Sequence, residues 1–186
     1  LTLPLLFPPI AYCLFPVPLT QQEFQAIHIR RNSAMRYLEA PEEFNRDGKG
    51  LFLAGGITGC PNWQQAIAEQ LHGSDWTLLN PRRTNFPIGD RDAAAQQIEW
   101  EYKHLRLAAA ILFWFPSESL CPISLYELGT WSMTDKPLFV GVHSNYPRRQ
   151  DIEVQTALVR PEIEIVYSLS ELANQVLRAE SMRHFA

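Results

Sequence analysis

Clustered positive charge is missing from this chain. Sixteen Lys and Arg against 20 Asp and Glu leave a net charge of -4 over 186 residues, with no basic run. Binding along a nucleic acid polymer needs Lys and Arg gathered to neutralise phosphates, so that function class is excluded, whereas a small anionic substrate held locally is not. Cysteine is scarce: Cys13, Cys60 and Cys121 make an odd number without CxxC spacing, so neither a disulfide framework nor a zinc site is predicted and a reducing cytoplasm is the expected compartment. His28, His72, His104, His143 and His184 show no metal-ligand spacing either, so no metal is expected.

A long uninterrupted apolar helix is also lacking. The first 22 residues carry no charge, but Pro4, Pro8, Pro9, Pro16 and Pro18 forbid a regular helix there, and neither a secretory signal nor a membrane span fits. Ordinary composition starts at Met35. Residues 1–34 are therefore expected to be an upstream extension or disordered arm, and 35–186 one domain.

What the chain does have is alternation. From residue 51 onward short apolar runs alternate with amphipathic stretches, which predicts an α/β fold: a five-stranded parallel sheet in flavodoxin-like (Rossmann-like) order, a three-layer sandwich with helices on both faces. The predicted strands are 51–54 (LFLA), 76–79 (WTLL), 110–115 (AILFWF), 138–142 (LFVGV) and 163–167 (IEIVY). Asn62 is a good N-cap for a helix burying Trp63, Ala66, Ile67 and Leu71, and Ser168 with Glu171 has capping-box spacing before Leu172, Val176 and Leu177. Right-handed crossovers would put every strand-to-helix loop on one edge of the sheet, where ligands of such folds bind. The loops to inspect are then GGITG, NPRR, PSESLCPIS and HSNYPRR.

On those loops lie the candidates for chemistry. Gly55, Gly56 and Gly59 let the backbone turn tightly and offer amides to an anion or sugar, although a plain tight turn explains them equally well. Arg82 and Arg83 follow Asn80 and Pro81; one guanidinium is expected to face the cleft, gripping a phosphate or pairing with an acid. Glu127 falls in the helix after the third strand, where Pro122 suits a first helical position, and the helix dipole is expected to keep its carboxylate ionised as a nucleophile requires. An ordinary N-terminal helix acid is the alternative. Glu101 lies about 60° around a helix from Ile98, beside a stripe completed by Tyr102, Leu105 and Ala109, so it must be paired, hydrogen-bonded or functional. Glu99 is better placed for solvent. Cys121 has no histidine near it in sequence and reads as packing rather than as a thiol nucleophile.

Taken in order, FLAGGITG, a helix with Trp63, NPRR, IEWEY, ILFWFP and YELGTW resemble the nucleoside 2-deoxyribosyltransferase family, most closely its 2-deoxyribosyltransferase-like branch, over about residues 35–145. The resemblance implies that the acid of the ELG segment, Glu127, attacks the anomeric carbon of the sugar, and that Glu101 is the counterpart of the carboxylate that handles the base. It implies no cofactor, a small-molecule nucleoside or nucleotide as partner, and a homo-oligomer in which a neighbouring subunit completes the site, Asn145 being one residue that could serve. Gly55, Gly56, Thr58, Asn80, Arg82 and Ser124 are the candidate substrate-binding residues. The chain departs from the family pattern at Phe52, where a tyrosine is typical, and in the Ser117 to Cys121 loop, whose one acid is Glu118 where an aspartate is usual. Double displacement with retention needs two carboxyl groups roughly 5 Å apart, one ionised and one able to donate a proton. Three functions remain open: a deoxyribosyltransferase, a hydrolase of nucleoside 5′-monophosphates if Arg82 or the Gly55 and Gly56 amides bind phosphate, and a nucleotide-binding module without catalysis.

Overall fold

A computed structural model describes residues 35–183 except Ile88. The expectation about residues 1–34 lies outside the described residues. Among the described residues, six parallel strands form one sheet: β1 (Arg36–Glu39), β2 (Lys49–Gly55), β3 (Trp76–Asn80), β4 (Ala110–Phe115), β5 (Leu138–Val142) and β6 (Ile165–Val166), in the order β1-β3-β2-β4-β5-β6. Between them run α1 (Trp63–Gln70), α2 (Arg91–Leu107), α3 (Pro122–Ser132) and α4 (Arg149–Val159), and α5 (Leu169–Arg183) follows β6. Leaving β1 aside, the strand order is that of flavodoxin, as the alternation predicts. The sheet has six strands rather than five because β1 adds itself in parallel to the free edge of β3, pairing Arg36 with Thr77 and Leu38 with Leu79. β1 is hard to read from sequence, since only Leu38 of its four residues is buried.

Every residue of β3, β4 and β5 is buried, which explains why they read as continuous apolar runs: both faces of a parallel sheet are covered by helices. Period-two alternation sorts their side chains into two cores. Phe52, Ala54, Ile111, Phe113, Phe115 and Val140 face Trp100 and Leu105 of α2, Leu128 of α3 and Ile152 of α4. Leu51, Leu53, Leu112 and Trp114 face Trp63 and Ile67 of α1, Leu71 at its C-terminal cap, and Leu172 and Val176 of α5. Both anticipated caps are present. Asn62 Oδ1 accepts from Gln65 N at 3.2 Å, and Ser168 and Glu171 cap each other, Glu171 N donating to Ser168 Oγ at 3.2 Å while Glu171 Oε2 accepts from Tyr167 N at 3.1 Å.

α2 is rotated from the face expected of it. Ile98 and Tyr102 are 66% and 60% exposed, and the buried face is Ala93, Trp100, His104 and Leu105. The cause is the segment that follows β1: Trp100 Nε1 donates to Glu42 O at 2.9 Å, and Phe44 N donates to His104 Nε2 at 3.1 Å. That segment covers the helix face which a search for aliphatic periodicity passes over.

Candidate functional site

β2 and β4 are neighbours, yet the chain leaves β2 toward β3 on one side before returning to β4 on the other. Strand order therefore reverses between β2 and β4, and a crevice opens there at the carboxyl edge. A cavity of about 320 Å³ occupies it. Gly55, Gly56 and Thr58 line it from the loop after β2, Glu101 from α2, and Ser124 and Glu127 from α3, with Phe52 and Cys121 also in the wall.

The glycines are required by close approach. A Cβ on Gly55 would lie 2.2 Å from the Trp114 carbonyl oxygen, and one on Gly56 would meet Pro116 Cγ at 2.7 Å, Cys60 Sγ at 2.8 Å and Cys121 Sγ at 2.9 Å. Trp63 Nε1 donates to the Gly56 carbonyl at 2.8 Å, which fixes the turn from the helix side.

Asn80, Arg82 and Arg83 fall outside the cavity wall, and their contacts say why. Arg82 does not face the cleft: its NH2 nitrogen donates to the carbonyls of Ile57 at 3.0 Å, Cys60 at 3.2 Å and Pro61 at 2.9 Å, bracing the loop after β2 from behind. Asn80, only 1% exposed, accepts from Arg82 N at 3.0 Å and donates to Tyr37 Oη at 2.7 Å and Arg82 O at 3.1 Å. Arg83 stands over the Phe86 ring, 5.4 Å from its centroid, and does not line the cleft either. Backbone carbonyls at a sharp turn compete for guanidinium donors, and sequence does not display them.

Glu127 is the sixth residue of α3, whose first turn contains no acid. The dipole of a helix acts mainly within its first turn, so the expected depression of the Glu127 pKa does not occur. Burial, and then the Glu101 carboxylate, push it up to about 8. Glu101 is raised too, by burial, and held back by the Gln97 amide that donates to its Oε1 at 2.9 Å. Two like charges in one desolvated crevice disfavour double ionisation, so the pair holds a proton near neutral pH. Cys121 sits at the N-cap of α3 with φ 47°, its thiol pushed up to about 11 chiefly by burial, which removes it as a nucleophile at neutral pH. Among the described residues no group of three or more His, Cys, Asp or Glu could hold a metal ion.

Sequence reasoning passed over Gln97, although its place one turn before Glu101 is the spacing at which helix side chains meet. The match to known families is independent of this geometry. The family described as nucleoside 2-deoxyribosyltransferase like matches residues 48–146, from β2 through the loop after β5. The chain belongs to that family. No curated protein sequence matches it at a significant level. The matched region holds every residue of the cavity wall, and no helix among the described residues is long and apolar enough to cross a membrane.

Proposed function

We propose that the protein cleaves the N-glycosidic bond of a (deoxy)nucleoside and transfers the 2-deoxyribosyl group to another base, with Glu127 as nucleophile. The observation that carries this reading is the pair of carboxyls, Glu127 and Glu101, lining one crevice, where burial and the Glu101 carboxylate together raise the pKa of Glu127. In the productive state the shared proton is on Glu101. Glu127 attacks C1′, the C1′–N bond breaks, and the proton of Glu101 passes to the departing base. A second base, deprotonated by Glu101, then takes the sugar from Glu127 and restores the pair; water in its place gives hydrolysis. The low dielectric that raises both pKa values also strengthens attraction between Glu127 and an oxocarbenium-like sugar.

The cavity wall favours a nucleoside over a nucleoside 5′-monophosphate. Among the described residues no Lys, Arg or His lines it, and Arg82, the cation that a phosphate would need, is bound to three backbone carbonyls. Two further readings accompany this one. Ile98 and Tyr102 on α2 and Ile123 and Tyr126 on α3 are exposed on the helices that carry Glu101 and Glu127, which suits a second copy of the chain closing the crevice. The free thiols of Cys60 and Cys121 suit a reducing cytoplasm.

Incubation with mixed deoxynucleosides, deoxynucleotides and a free base, followed by separation of products, tests the activity. The expected outcome is a new deoxynucleoside formed from the free base, with deoxynucleotides consumed more slowly. Nucleotide binding without any cleavage would favour a sensing role instead.

A further inference from the structure

Gln97 lies one turn before Glu101 on α2, and its amide has an unusual set of neighbours. Nε2 donates to Glu101 Oε1 at 2.9 Å and to the Pro81 carbonyl at 2.8 Å, while the buried Oε1 of Gln97 has no hydrogen-bond partner. The Pro81 carbonyl can only accept, so the amide orientation is fixed by chemistry: the NH2 group faces both neighbours, and the unpaired oxygen is what remains. Pro81 is itself held in place, because Asn80 is tied to both the backbone N–H and the carbonyl of Arg82. Gln97 thus joins a rigid turn after β3 to one oxygen of Glu101. No hydrogen bond from a described residue reaches the other oxygen.

Resting on the transferase reading above, we propose that Gln97 is the positioning residue of Glu101, fixing Oε1 as a permanent acceptor so that Oε2 is the oxygen that gives its proton to the departing base and takes it back from the incoming one. An acceptor engaged by an N–H cannot carry the proton toward that donor, so protonated Glu101 places its O–H on Oε2. Without Gln97 the carboxyl would rotate and present either oxygen. A glutamate at position 97 would have no donor for either neighbour when ionised, which is why the amide is needed here.

The test combines leaving-group dependence with a pH profile in two variants of the full chain. The titratable groups facing Glu101 in the cavity are Glu127 of α3 and the thiol of Cys121; β2 contributes the apolar Phe52 and Ala54, and the turn after β3 contributes Pro81. Gln97→Leu removes the donor, and Gln97→Lys replaces it with a charged one that also satisfies the Pro81 carbonyl, so one variant keeps the helix anchored if the other unfolds. For Gln97→Leu, kcat/KM is expected to fall by about tenfold or more on nucleosides with poor leaving groups and far less on activated ones, since only the former depend on protonation. The high-pH limb of kcat/KM, where the proton on Glu101 is lost, is expected to move to higher pH in Gln97→Leu and to lower pH in Gln97→Lys. An active wild type whose variants lose rate equally on all leaving groups, with no movement of that limb, would overturn the role of Gln97 and leave the transferase reading standing. A wild type that cleaves no nucleoside under any acceptor condition would overturn the reading and the inference together.

Discussion

Glu127 carries opposing demands. Attack on C1′ needs its charge, yet burial and Glu101 hold its pKa near 8. For a carboxyl whose pKa rises on folding from an ordinary 4.5 to about 8, the folded state keeps a proton that the unfolded state has lost. Stability therefore declines as pH rises through that window. Glu127→Gln abolishes the decline, so the variant is expected to melt higher than the parent, by a margin that grows from pH 5 to pH 8. Thermal melts at both values check this, and an equal margin at the two would show that burial of the charge is not the cause. The same variant keeps the shape of the site but lacks the attacking charge, so turnover should fall by about 10³-fold or more with much less loss of substrate binding. A carboxyl in this segment is visible in the sequence; its protonation is not, because the crevice that buries it is assembled from separate parts of the chain, with Phe52 from β2, Pro81 from the turn after β3 and Pro122 from α3.

At the scale of elements, the loop after β2 is shaped by contacts on both sides. Gly56→Ala would force a methyl group against Pro116 and two sulfurs at under 3 Å, a form of overpacking that costs about 1–3 kcal/mol. Denaturant unfolding should register that loss together with lower activity, because the same loop carries Thr58 into the cavity. Arg82→Met leaves the Ile57, Cys60 and Pro61 carbonyls without their donor and is expected to lower stability by about 1–3 kcal/mol while leaving any preference between nucleoside and nucleotide unchanged. A selective loss of nucleotide cleavage in that variant would instead show Arg82 reaching a phosphate. Strands β2 to β5 and the loops after them were legible in the sequence because buried parallel strands are continuous apolar runs. β1 and the buried face of α2 were not. One buried leucine makes no pattern, and Trp100 and His104 are buried by the Glu42 to Phe44 segment, whose position depends on β1 pairing.

Across the whole molecule, the parallel sheet puts the crevice where strand order reverses, and the two helices that deliver the acids turn apolar side chains outward beside it. Tyr126, 75% exposed, is the neighbour in sequence of the proposed nucleophile. If a second copy covers this face, Tyr126→Asp should yield monomers by light scattering and lower activity by opening the crevice to water, whereas a monomeric parent would remove the oligomer from the account. The central claim is that Glu127 carries the sugar. The most direct measurement is mass spectrometry of the intact and proteolysed protein after incubation with a 2-fluoro-2-deoxy nucleoside, whose fluorine disfavours the oxocarbenium-like transition state and slows release of the trapped sugar. The account predicts one added fluorosugar, located on the peptide containing Glu127 and absent in Glu127→Gln; a sugar on any other residue, or a trapped adduct that survives in Glu127→Gln, would contradict it.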